Sequence, residues 1–203
     1  MIKLVIRGFT LHVRSIYALK VGLGEEVKAG FWEALDEVVR GMPSLERIVI
    51  TGDFNGHIGV VPEGYDDVHG GFGFDDRNEE GATLLYFARA FGLVVVNSSF
   101  LKKEDHLITF QSVITKTQID FMLLRRGDRV LCKNCKVIPS EHLLNQHRLL
   151  VMDLFMKRRK KRRVNEGRPR IRWGGLMSDS ALKIVEKVAI LGVWDCRGDV
   201  DAM

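Results

Sequence analysis

Asp53 and Asn55 stand two residues apart at the end of a short β-branched run, Ile48-Val49-Ile50-Thr51, inside Gly52-Asp53-Phe54-Asn55-Gly56-His57. The run reads as a buried strand. If the extended geometry continues past it, both side chains project the same way. The flanking glycines let the backbone turn and a substrate come close. A carboxylate and an amide at a strand end suit activating or orienting a water beside a phosphate, with a hard cation nearby. An Asx-rich turn after a strand is the commoner reason for the same pattern.

Asp120 interrupts an apolar strand, Gln118-Ile119-Asp120-Phe121-Met122-Leu123-Leu124, and shares a face with Met122 and Leu124. A carboxylate there costs several kcal/mol unless it is paired or hydrogen-bonded. His147 opens the last strand, "QHRLLVMDL", and is a natural partner. An Asp beside a His orients the imidazole and keeps it protonated. Bonding of Asp120 to backbone or to Arg125 explains it as well. Cys132 and Cys135, with His142 and His147, superficially count as a zinc set, but the pairs lie too close together for a strand–helix finger. They read as ordinary thiols. His12, His57, His69 and His106 have no spacing that commits them to a site.

The elements that must position these groups alternate early and follow one another later. "IKLVIRGFTLHVRSIYA" reads as a β-hairpin turning near Arg7-Gly8, with Phe9, Leu11, Val13, Ser15 and Tyr17 on one face. "EEVKAGFWEALDEVVRGM" is an amphipathic helix with Val27, Phe31, Leu35 and Val38 at helical spacing, stopped by Gly41 and Pro43. Phe31 and Trp32 read as helix-to-sheet core. A long Gly-rich polar stretch, 60–81, reads as a surface loop. A helix follows, roughly Asn78 to Phe91, ended by Gly92. Strands are expected at "LVVVNSSF", "LITFQS" and "QIDFMLLRR", then a short edge strand "NCKVIPSE" cut by Pro139, then "HRLLVMDLFM". This order suits an α/β or α+β sandwich of sheets with helices outside.

The net charge of +5 is unevenly spread. Lys157 to Arg172 holds ten Lys/Arg against one acid, Glu166, a net +9 that leaves −4 for the rest of the chain. The densest part, Lys157, Arg158, Arg159, Lys160, Lys161, Arg162 and Arg163, is the strongest electrostatic feature for a nucleic acid. A nuclear import signal and a solvated linker are equally compatible with it. Residues 156–175 read as that linker, with Trp173 packing beside it, and 176–203 as one short helix capped by Ser178 or Asp179. An odd cysteine count of three, no signal-peptide pattern and no apolar run long enough for a bilayer lead to an intracellular expectation, nuclear or cytoplasmic. No membrane partner and no organic cofactor are expected.

The blocks "GDFNGHIG", "HGGFGFDDRNEEGATLLYFARAFGLVVVNSSF", "TQIDFMLLRR" and "NQHRLLVMDL" occur in this order. Together they resemble the endonuclease/exonuclease/phosphatase superfamily, above all LINE-type retrotransposon endonucleases and the craniofacial development protein 2-like proteins. The resemblance runs from about Ile2 to Leu154. It implies a four-layer α/β/β/α sandwich and Mg²⁺-dependent phosphodiester hydrolysis of DNA. It further implies that Asp53 activates the attacking water, Asn55 orients the phosphate, and Asp120 holds His147, whose imidazolium stabilises charge on the phosphate. Tyr17, in "SIYALKVG", matches a phosphate-contacting Tyr of a Tyr-x-Pro stretch, with Leu19 in the proline's place.

Two departures modify that expectation. Gln146 stands where the family carries a metal-site Asp before the final His. The family also begins with a strand bearing a catalytic Asn and a second bearing a metal-binding Glu, and Met1 falls past both. Residues 1–155 are therefore expected to form an N-terminally incomplete domain with an exposed sheet face or edge open to self-association, and hydrolysis is expected to be impaired or lost. The alternative is a non-catalytic nucleic-acid-binding or inert remnant that uses the basic segment 157–172.

Overall fold

A computed structural model of the chain describes residues 1–156, apart from 7, 19–23, 44–45 and 145, and Glu186 beyond them. The basic run Lys157–Arg163, Trp173 and the expected C-terminal helix lie outside the described residues. The chain divides into two compact units, Met1–Arg159 and Lys160–Met203. The described residues other than Glu186 all belong to the first.

Nine strands and two helices make up this unit as described: β1 Ile2–Ile6, β2 Phe9–Tyr17, α1 Glu25–Arg40, β3 Arg47–Asp53, α2 Glu79–Ala90, β4 Leu93–Val95, β5 Phe110–Gln111, β6 Lys116–Thr117, β7 Asp120–Arg125, β8 Cys132–Leu144 and β9 His147–Leu154. One sheet runs β1-β2-β3-β7-β4 and the other β6-β5-β9-β8. In the first sheet β2 and β3 are parallel, joined through α1, and the other pairings are antiparallel.

Burial explains the layering. Leu35 and Val39 of α1 and Leu84, Leu85 and Ala88 of α2 pack with Ile48, Ile50, Phe121 and Leu123 in one core. Both helices therefore cover the same face of the first sheet. Leu11, Val49, Val94, Leu124, Cys132 and Cys135 form a second core between the sheets, with Met122, Leu150 and Met152 against it. The alternation along β3 and β7 feeds the two cores from opposite faces of one strand. This is an α/β sandwich built on two sheets.

The helical stripe of α1 is set one residue off the expected one. Leu35 and Val39 are its buried positions, Val38 is half-buried and Val27 is 51% exposed. Val27 lies in the first turn of the helix. "NCKVIPSE" does not end at Pro139. β8 continues to Leu144, and its pairing with β9 jumps from Ile138↔Leu149 to His142↔Arg148. Pro139 falls in that irregularity on an edge strand, where its missing N–H costs no ladder bond. "LVVVNSSF" yields only Leu93–Val95 before a 3-10 turn at Asn97–Ser99, and "LITFQS" only Phe110–Gln111.

β1 is an edge strand exposed along its length, with Ile2 59% and Val5 71% exposed. Among the described residues no helix is long and apolar enough to cross a membrane.

Candidate active site

The end of β3 and the start of β9 bring the candidate residues together. Tyr17, Asp53, Asn55, His57, Asn78, Phe110, Thr115, Thr117, Ile119, Gln146 and His147 line one cleft of about 440 Å³. Asp53 closes β3 and pairs in register with Tyr17 on one side and Asp120 on the other. Carboxylates on directly opposed residues repel. Asp120 answers this by turning to the imidazole: His147 Nδ1 lies 3.0 Å from Asp120 Oδ2. The alternative partner is placed elsewhere, since Arg125 reaches the carbonyls of Met42 and Pro43. With Nδ1 engaged, the second ring nitrogen of His147 is the one left for the cleft. The Phe110 ring meets the imidazole edge-on, with centroids 5.1 Å apart.

Asp53 and Asn55 do not project by continued extension. Asn55 has φ +50°, in the left-handed region. Its N–H donates to Asp53 Oδ1 at 2.8 Å and its Nδ2 donates to the Ala18 carbonyl at 2.8 Å. The Asx turn weighed against the functional reading is therefore present, and the turn itself turns Asn55 into the cleft. Asp53 is held low, 7% exposed, and its carbonyl accepts from Ala18 N at 2.7 Å.

His57 and Asn78 line the cleft without having carried a chemical signal in the sequence. Asn78 caps α2: its Oδ1 accepts from Gly81 N at 2.9 Å and from His57 N at 2.8 Å. One cap thus fixes both the helix and the loop after β3. Its signal was legible as an Asn ahead of two acids, Glu79 and Glu80, the usual opening of a helix. The contact is close enough that a Cβ on Gly81 would sit 1.7 Å from the His57 carbonyl oxygen. Glycine is required at 81 for that reason. Thr115 and Thr117, on the β5–β6 hairpin, and Phe110 gave no sequence signal.

The described residues do not form a resident site for the Mg²⁺ that the resemblance implies. Among them no group of three or more His, Cys, Asp or Glu is arranged to hold a metal. Asp120 is engaged by His147, one oxygen of Asp53 accepts the Asn55 amide, and exposed Gln146 offers a neutral oxygen. Mg²⁺ relies on carboxylates and keeps its waters otherwise.

No protein-family model matches the chain. Over 155 residues it is 27% identical to craniofacial development protein 2 of Bos taurus, covering 74% of this chain and 26% of that protein. The same protein of Tragulus javanicus gives the same identity and coverage. The chain thus spans about a quarter of the length of these curated relatives. Among solved structures, the 3′-5′ exonuclease NExo from Neisseria meningitidis superposes with a TM-score of 0.54 at 14% identity, over 76% of this chain and 64% of that one. The 3′ phosphatase NExo from Neisseria, bound to a product DNA hairpin, gives 0.54 at 15% identity, with the same coverage. The chain shares its fold with these two NExo structures. Within this fold, the cleft of Asp53 and His147 lies where the ends of the two sheets meet.

Proposed function

We propose that this cleft is the phosphate-facing part of a DNA phosphodiesterase site of the endonuclease kind, in a domain of retroelement origin, and that its hydrolysis is impaired in these 203 residues. Asp53 is the group that prepares water, and Asn55 orients the phosphate through the side-chain atoms not spent on Ala18. Tyr17, 59% exposed at the rim, contacts the phosphate or the leaving oxygen. Asp120 acts through His147: it engages Nδ1 and fixes the ring, so that the second ring nitrogen is the one turned to the phosphate. The observation that carries this reading is the 3.0 Å Asp120–His147 contact opposite Asp53 in one cleft. The impairment rests on the donor set. Phosphodiester hydrolysis needs positive charge at the phosphate and leaving oxygen, and carboxylates engaged by His147 and Asn55 supply little hold on a divalent cation. Purified residues 1–203 with Mg²⁺ are expected to nick plasmid DNA no faster than an Asp53→Ala control. Clear nicking abolished by both Asp53→Ala and His147→Ala would overturn the impairment and establish an enzyme.

A second reading, non-catalytic nucleic-acid binding, is favoured by one observation, the +9 of residues 157–172. That binding is non-specific and weakens steeply with salt as phosphate counterions are released.

A further inference from the structure

His69 is buried, 2% exposed, and plays no part in the cleft chemistry above. Its ring sits inside the loop that runs from the end of β3 to α2. Nε2 lies 3.1 Å from the Gly59 carbonyl, and Gly71 N–H donates to Nδ1 at 3.0 Å. A carbonyl on one nitrogen and an N–H on the other admit only the neutral ring protonated at Nε2. The backbone of His69 is fixed independently, bonded to Tyr65 O at 2.8 Å and bridged to Val95 of β4. The imidazole therefore ties the two arms of the loop to the first sheet. Its Gly59 arm continues directly into the cleft wall: Arg77 Nε donates to Ile58 O at 2.9 Å, Asn78 N to His57 O at 3.1 Å, and Asn78 Oδ1 accepts from His57 N.

We propose that His69 is a proton-sensitive positioning residue, a neutral clasp whose bonds to Gly59 and Gly71 hold the His57–Asn78 wall of the cleft in place. Protonation at Nδ1 puts two N–H donors face to face at Gly71, so the clasp opens on that arm, and the ring, no longer braced there but still bonded to Gly59, carries the Gly59 arm and the wall beyond it out of place. Burial, the largest influence, holds the ring below the ordinary histidine range, the Gly59 bond acts the other way, Arg77 disfavours the added charge and Asp66 favours it. The β4 side contributes Val95, which does not titrate.

The inference rests on the assignment of that cleft as the functional site, but its test needs no turnover. In ¹⁵N spectra of the full chain at neutral pH, His69 is expected to be protonated at Nε2 alone. As the pH falls, the Gly71 and Asn78 amide signals should move with the His69 ring, at a midpoint below that of an exposed histidine. His69→Gln keeps a donor for Gly59 and loses the acceptor for Gly71, so at neutral pH its Gly71 and Asn78 signals should resemble those of acidified wild type and stay flat with pH. A ring protonated at Nδ1 at neutral pH, or an Asn78 amide that ignores the His69 midpoint, overturns the proposal. Should His69→Gln fail to fold, the wild-type titration alone decides. A negative nicking assay leaves this result untouched, and a failed clasp leaves the cleft assignment standing.

Discussion

The two walls of the cleft are built to different standards. The β3 wall is cross-tied: Asp53 O accepts from Ala18 N at 2.7 Å, Phe54 N donates to Ile119 O at 2.9 Å, Asn55 bonds Asp53 and Ala18, and Asn78 holds His57. The β9 wall hangs on less. His147 has one strand partner toward β5, Phe110, and one side-chain tether, Asp120. A wall over-determined by backbone bonds tolerates loss of one side chain and fails when its backbone is pushed. A wall held by a tether should respond to that tether and leave the fold alone.

The largest expected effect breaks the first wall. Gly81→Ala forces a Cβ to within 1.7 Å of the His57 carbonyl oxygen, so the helix start or the loop must shift. Overpacking of this kind costs about 3 kcal/mol, the upper end of its usual range. Chemical denaturation checks it; a loss under about 1 kcal/mol would mean that the loop slides freely. On the second wall, Asp120→Asn is expected to cost only about 1 kcal/mol, because the pair is partly exposed, with 19% of the Asp120 and 28% of the His147 side chain accessible. It should nevertheless release the His147 ring, read as a change in the ring's ¹⁵N shifts relative to wild type. Unchanged shifts would show that Phe110 and the backbone suffice to orient the ring.

The smallest effect is a pH dependence from the first wall. Burial lowers the His69 pKa, so between that value and the ordinary one of about 6.5 the unfolded chain binds the proton that the folded chain refuses. Stability is complete above about 6.5 and declines as the pH falls below it. Denaturation midpoints from pH 7.5 to 5.5 should decline in wild type, and His69→Gln should remove part of the slope. Equal slopes would assign the decline to other groups.

The same contrast explains what could be read in the sequence. β3, α2, β7 and β9 announce themselves locally, by β-branched runs, an Asn cap ahead of two acids, and a terminal glycine. The residues Asp53, Asn55, Asp120 and His147 were visible because each interrupts or ends such an element. The route by which Asn55 enters the cleft was not, since its left-handed turn depends on the Ala18 carbonyl arriving from β2. β8 outruns its sequence pattern because pairing with β9, not propensity, carries it past Pro139. His57 was hidden for a similar reason: a cap twenty-one residues away places it.

The central claim is that the cleft between these walls receives a DNA phosphate. The direct measurement is an NMR titration of the full chain with a short DNA duplex at two salt concentrations, repeated after deletion of Lys157–Arg163. The account predicts shifts at Tyr17, Asn55 and the His147 ring that survive the deletion, although overall affinity drops. Perturbations confined to residues 157–172, and abolished with Lys157–Arg163, would contradict it and leave the basic segment as the nucleic-acid-binding element.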